Sequence, residues 1–259
     1  MNLVEAFRAE DAAVAVVGAG GKKTTMYALA DRLDRAVVTA AVRIPIFDQH
    51  VARVAVTESP LDELAAADSG DFPLGLVPER ESEERYYGYD ATGVDDIIAA
   101  HDGPVLIKSD GARMRDFKAP KDTEPQIPVE TDVVVPIASA HAVGEPLDEA
   151  MVHRPELVAQ LAADAGLDVA VGDEITPELV ATVLASDDGG LKRIPAGATV
   201  IPLVNKVDDA DDESVARAVA DAFFDRLDER RDAGAEVPEV PHLVLGHLAA
   251  GDVVDVVEA

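Results

Sequence analysis

Apolar and polar positions fall along this chain in blocks that predict an α/β sheet. Short runs of Val, Ile, Leu and Ala occur at residues 12–17, 36–42, 53–56, 104–108, 132–137, 199–204 and 242–245. They show little internal alternation, as strands buried on both faces do. Between them, residues 24–33, 94–100, 155–165, 177–185 and 212–232 carry helical spacing. Thr176 is placed as an N-cap with Pro177 at the first helical position, and Pro155 opens another helix with Glu156 in its first turn. This order predicts a mostly parallel sheet with helices on both faces. Two stretches break the pattern. Residues 69–92 are rich in Gly, Pro and charge around Tyr86, Tyr87 and Tyr89, and residues 111–128 place three prolines among basic residues. Both read as insertions in a single domain spanning residues 1–259.

The first apolar run leads directly into Gly18-Ala19-Gly20-Gly21-Lys22-Lys23-Thr24-Thr25 and then a helical pattern. Strand, glycine loop, lysine and helix come in the order that a phosphate cradle needs: backbone N–H groups curl around one anion, the helix N-terminus adds partial positive charge, and the lysine reaches the terminal phosphates. The fold expected is therefore P-loop NTPase-like. Two registers compete against G-x-x-x-x-G-K-[ST]. With Gly21-Lys22 as the G-K pair, Val16 takes the first glycine position and Lys23 the hydroxyl position; with Lys23-Thr24 as the K-T pair, Lys22 replaces the last glycine. The first is preferred because a long side chain at the last glycine would crowd the phosphates, and it leaves Thr24 or Thr25 to supply a magnesium hydroxyl.

The run at 104–108 ends in Ser109-Asp110-Gly111-Ala112, which puts Asp110 where P-loop proteins direct a carboxylate at magnesium. An Asp-Gly turn without a ligand would look the same. Lys108, Arg113, Arg115, Lys118 and Lys121 then fall within fourteen residues, a basic cluster suited to phosphate or an acidic substrate. After the run at 199–204 comes Asn205-Lys206-Val207-Asp208, the N-K-x-D pattern that reads guanine in P-loop GTPases, in a chain with no asparagine other than Asn2 and Asn205.

Composition narrows the chemistry. The 259 residues are 48% hydrophobic, ample for a core, and carry a formal charge of -29 from 51 acidic and 22 basic residues. The acidity is dispersed and only seven residues are lysine, a surface suited to high salt and opposed to a nucleic-acid backbone. With no cysteine, thiolate metal sites, disulfides and a thiol nucleophile are excluded, and the six histidines lack metal-ligand spacing; His141, without a supporting pattern, reads as structural. Residues 1–11 are charged and no apolar run approaches about 18 residues, so neither a signal peptide nor a membrane span is expected, and the location expected is cytoplasmic.

Together these segments resemble the YqeC family, the selenium-dependent hydroxylase accessory or selenium cofactor biosynthesis proteins. The resemblance runs from Val14 to Asp208. It rests on Val17-Gly18-Ala19-Gly20-Gly21-Lys22, Asp110-Gly111-Ala112-Arg113, Phe117-Lys118-Ala119-Pro120, Glu124-Pro125-Gln126-Ile127-Pro128, Gly144-Glu145-Pro146-Leu147, Val152-His153-Arg154-Pro155-Glu156, Gly189-Gly190-Leu191-Lys192 and the N-K-V-D stretch. It implies a P-loop protein acting in maturation of selenium-dependent molybdenum hydroxylases beside a hydroxylase or a cofactor-handling partner. Lys23, Lys108-Ser109 and Ala40-Ala41-Val42-Arg43 depart from the family's pattern.

The reading that follows is a GTP-binding accessory protein with slow hydrolysis. Lys22 and Asp110 carry the chemistry; Gly18, Gly20, Gly21, Lys23, Thr24 and Thr25 hold the phosphates of GTP (or ATP); Thr24 and Asp110 bind Mg2+; and Asn205, Lys206 and Asp208 hold the base. Two alternatives stand beside it: a kinase or ligase whose anionic substrate is held by Arg113, Arg115, Lys118, His153 and Arg154, and a nucleotide-binding interaction module without catalysis.

Overall fold

A computed structural model describes residues 1–259. Its frame is a ten-stranded sheet. The strands at its centre are β1 (Ala13–Gly18), β2 (Val37–Ala40), β7 (Val105–Lys108) and β9 (Val133–Ser139). Outward from these lie β4 (Arg53–Val56) and β5 (Leu74–Val77) on one side, and β12 (Leu203–Asn205), β13 (His242–His247) and β14 (Asp252–Glu258) on the other. The order across the sheet is β14-β13-β12-β9-β1-β7-β2-β5-β4, with β11 (Thr199–Val200) also on β9. Every pairing is parallel except β13 with β14. No helix is long and apolar enough to cross a membrane.

The central strands lack polar alternation because both faces are covered. Val14 and Val16 of β1 pack with α2 (Lys22–Ala30) and with Leu3, Ala6 and Phe7 near the N-terminus. On the other face, α3 (Pro60–Ala66) and α4 (Ala91–Ala100) lie beyond Val37, Val105 and Ile107. Further along that face, α5 (Pro155–Asp164), α6 (Pro177–Leu184) and α7 (Ala210–Asp232) close over Val204, Leu243 and Leu245. The expected α/β architecture with helices on both faces is present.

Several local expectations change. Residues 69–92, read as an irregular insertion, supply β5, whose four residues are buried between β2 and β4. Gly75 is there for packing: a Cβ on it would stand 2.6 Å from the Phe47 ring. The single strand expected over 199–204 is divided into β11 and β12 around Pro202, which has no N–H to give a ladder. Helix α2 starts at Lys22, two residues before the expected 24, so the glycine loop turns straight into it. Residues 111–128 stay irregular apart from β8 (Phe117–Lys118), which pairs with β10 (Val152–His153).

Because β1, β7, β9 and β12 are parallel, their carboxyl ends meet on one edge of the sheet. Gly18, Asp110, Ser139 and Asn205 stand at or just past those ends. An open α/β sheet places its ligand crevice there.

Candidate functional site

The glycine loop is held against its neighbours by its own backbone N–H groups. Gly18 N–H donates to Asp110 Oδ2 at 2.8 Å, Ala19 N–H to the Ile137 carbonyl at 2.8 Å and Gly20 N–H to the Arg115 carbonyl at 3.0 Å. Gly18 has φ +87°, and a Cβ there would fall 2.3 Å from the Ile137 oxygen. Beyond these three, the N–H groups of Gly21, Lys22, Lys23 and Thr24 have no acceptor within the protein, and Gly21 as N-cap offers no side chain to them. The uncapped start of α2 thus presents converging donors and the positive end of a helix dipole.

Behind the loop runs a buried chain of charges. Lys22 Nζ lies 2.9 Å from Asp110 Oδ1, and Lys118 Nζ contacts Asp110 Oδ2 at 2.8 Å and Glu124 Oε2 at 3.0 Å. Arg154 closes the series with a bidentate pair to Glu124 at 2.9 and 3.1 Å. Lys22, Asp110 and Lys118 are all buried. Burial pushes Lys22 below the usual lysine range, with Asp110 partly restoring it. Burial by itself would raise Asp110, but Lys22 and Lys118 outweigh it and hold the carboxylate below its ordinary value. Lys108 Nζ donates to the carbonyls of Arg43 and Asp110, both at 2.7 Å; burial, then repulsion from Lys22, pushes it down to about 7.

This arrangement sorts the residues named from the sequence. Asp110 faces two lysines. Thr25 is buried with its hydroxyl donating to the Gly21 carbonyl at 3.1 Å, whereas Thr24 lines the open crevice. Of the anion candidates, Arg113 and Arg115 line the crevice, while Lys118 and Arg154 are committed to the buried carboxylates. His153 is pushed down to about 4 by burial and then by Arg154 and Lys118, so it is neutral near pH 7 and brings no positive charge to an anion.

The crevice itself is a cavity of about 400 Å3. Lys22, Lys23, Arg43, Arg85, Lys108, Arg113, Arg115 and Lys206 line it, with Asp116 as the single carboxylate. Eight of the chain's 22 basic residues therefore converge on one site of a protein with net charge -29. Arg43 and Arg85 escaped sequence reasoning. They are 42 residues apart, and the short pairing of β3 (Ile44–Pro45) with β6 (Arg85–Tyr86) is what brings them together. The available signal was Arg43 itself, a base just past the end of β2 where the resembled family's pattern has threonines.

The N-K-V-D residues separate in space. Asn205 is buried; its Nδ2 donates to the Gly20 carbonyl at 2.8 Å and its Oδ1 accepts from Leu248 N–H at 3.1 Å. Lys206 pairs with Asp116 at the cavity wall. Asp208 is half-exposed, 3.1 Å from His141 Nε2 and 3.6 Å from His247 Nδ1.

The model of the YqeC protein family matches residues 14–156 of the chain. The chain belongs to the YqeC family. It is similar to YqeC of Escherichia coli (strain K12), with 25% identity over 201 residues that cover 74% of this chain and 75% of that one. The segment that matches the YqeC model contains the glycine loop, both cavity arginines from β3 and β6, Asp110 and the Glu124–Arg154 pair, while the Asn205–Asp208 stretch lies beyond it. The buried charge chain and seven of the eight cavity bases thus lie in the YqeC-matching part, and Lys206 lies outside it.

Proposed function

We propose that this YqeC-family protein binds a nucleoside triphosphate, GTP, and acts as an accessory factor in maturation of selenium-dependent molybdenum hydroxylases. The observation that carries the first half is the basic cavity at the uncapped start of α2: eight cations and four free N–H groups address one volume. Lys22, Lys23 and the α2 amides hold phosphate oxygens, and Arg113 and Arg115 close over them. A second cleft, about 750 Å3, shares Lys23 and Thr24 with the first and is walled by Tyr27 and His50, whose rings stack at 4.0 Å. Its lining does not include Asp208, so a base stacked there is not read by that carboxylate. For Mg2+, Thr24 has an oxygen at the crevice, but Asp110 is held by Lys22 and Lys118, so the carboxylate half of that metal site does not fit this arrangement. The accessory role rests on family membership.

Base choice falls to Asp208. A carboxylate accepts from guanine N1–H and the exocyclic amine, whereas adenine offers an acceptor and no amine at that edge. An unpaired polar group costs about 1–3 kcal/mol when fully buried, and Asp208, half-exposed, bears only part of that. GTP should therefore outcompete ATP by about 10-fold. Competition binding in high salt with GTP, ATP and inorganic triphosphate tests both halves: no binding of any of them overturns the phosphate assignment, and equal affinity for GTP and ATP overturns the guanine assignment alone.

One observation favours a second reading. Arg43 and Arg85 line the cavity from outside the glycine loop, as a site for a second anionic group would require. In that reading the protein transfers a phosphoryl group to a small anionic acceptor. Triphosphate turnover that appears only with an added anion would select it.

A further inference from the structure

We propose that His141, Asp208 and Asp212 form a binding site for a zinc-class divalent cation, with His247 positioning Asp208. This site is separate from the glycine loop and from phosphate binding there; it shares Asp208 with the guanine assignment, and the two roles of that carboxylate exclude each other.

Four elements deliver these side chains to one point. His141 sits in the turn at Ala140–Ala142 after β9, Asp208 follows β12, Asp212 lies in the first turn of α7, and His247 ends β13. His141 Nε2 is 3.1 Å from Asp208 Oδ2 and 3.4 Å from Asp212 Oδ2, and the three donor atoms all lie within 4.8 Å of one another. Tetrahedral zinc with ligands at about 2.0–2.2 Å spaces its donor atoms about 3.4 Å apart. The His141–Asp212 spacing equals that value and the His141–Asp208 spacing is about 0.3 Å shorter.

Helix capping does not explain the cluster. Asp209 caps α7 through the N–H groups of Asp211 and Asp212, so neither Asp208 nor His141 serves that purpose. Asp212 Oδ2 also accepts from Asp208 N–H at 3.0 Å, and Ser139 Oγ accepts from His141 N–H at 3.2 Å. The carriers of the donor atoms are fixed by these bonds. The other oxygen of Asp208, Oδ1, faces His247 Nδ1 at 3.6 Å. At that distance His247 is not hydrogen-bonded to Asp208, but a small rotation would bring it into the outer-imidazole support that orients metal ligands. Two of the chain's six histidines thus flank the two oxygens of one carboxylate.

The donor set selects the cation. Imidazole nitrogen with carboxylate oxygen suits Zn2+, Ni2+ or Cu2+, whereas Mg2+ and Ca2+ prefer oxygen alone. The ligand side chains are 23–44% exposed, which leaves solvent-facing coordination positions open to water. Asp208 cannot face a guanine edge while it ligates a cation, so the site also places a metal at the point where the base would be read.

The test uses the full chain, stripped with chelator and held in high salt to suppress diffuse binding to surface acids. Zn2+ is titrated against a chromophoric chelator, and Co2+ is followed by its visible absorption. One equivalent should bind, Mg2+ should not compete, and Co2+ should give the intense bands of a four- or five-coordinate site. His141→Ala and Asp212→Asn should each weaken binding by about 100-fold or more, and His247→Ala by about 10-fold. The conservative His141→Gln, with circular dichroism to verify folding, separates ligand loss from misfolding. Unchanged affinity in folded His141→Ala or His141→Gln, or only weak binding that Mg2+ displaces, overturns the site. No arm contains nucleotide, so failure here and failure of the GTP reading are distinguishable.

Discussion

Asn205 Nδ2 donates to the carbonyl oxygen of Gly20 at 2.8 Å, tying the end of β12 to the glycine loop at the end of β1. Asn205 Oδ1 accepts from Leu248 N–H, so the side chain braces three segments through both ends of its amide. In this position Asn205 shapes the loop. Asn205→Ala leaves a buried carbonyl without its donor and should cost about 1–3 kcal/mol of stability. It should weaken GTP, ATP and inorganic triphosphate by the same factor. A selective loss of GTP in competition binding would instead mean that Asn205 contacts the base.

Gly21 is the next point of contact. Its φ is +144°, and a Cβ would lie 2.0 Å from Asn205 Nδ2, an atom held at both ends of its amide. Gly21→Ala should therefore lower stability by about 1–3 kcal/mol and abolish triphosphate binding. Denaturant midpoints and binding isotherms on the same preparation check both.

Lys22 and Lys23 are adjacent but differently placed. Lys22 is buried against Asp110, while Lys23 is partly exposed and lines both clefts. Lys22→Ala should abolish triphosphate binding and destabilise the protein by about 3 kcal/mol, the low end for a broken buried pair because Lys118 still compensates Asp110. Lys23→Ala should leave stability unchanged and reduce affinity only modestly. If Lys23→Ala is the more damaging to binding, the preferred register of the loop is wrong.

Two pH dependences of stability, both rising with pH, follow from the buried charges. Lys108 is pushed down to about 7 by burial and by Lys22, so between about pH 7 and about pH 10.4 the unfolded chain holds a proton that the folded chain has released. Stability should rise with pH across that window, and Lys108→Met should remove the rise. Anion affinity should fall as pH rises through about 7, where the folded protein's Lys108 loses its charge. At the acid end, burial opposes the charge on Asp110 and Glu124, but Lys22 and Lys118 for the first and Arg154 and Lys118 for the second hold both below their ordinary values. Their contribution is present above the unfolded carboxylate range near about 4 and is lost as pH falls through the folded values. Denaturant midpoints and phosphate binding measured from about pH 3 to about pH 10 check the signs; a stability that falls from pH 7 to 10 in the unaltered protein would contradict the Lys108 assignment.

Local chemistry made much of the molecule legible in the sequence alone. A buried parallel strand has to be apolar on both faces, so β1, β7, β9 and β13 announce themselves. The loop at Gly18–Gly21 is equally plain, because only glycine tolerates the backbone that lets N–H groups converge at a helix start. β5 was hidden because its signal is four residues long and holds a glycine whose reason is the Phe47 ring, a partner distant in sequence. The site divides in the same way. Residue types and order singled out Lys22, Asp110 and Arg113, yet whether a charge faces solvent or another buried charge depends on which segments pack together. Tertiary structure committed Lys118 and Arg154 to Asp110 and Glu124, turned Asn205 inward, added Arg43 and Arg85 to the cavity wall and set His141 against Asp208. Charge pairing acts over a few ångströms of space, and separation along the chain carries no record of it.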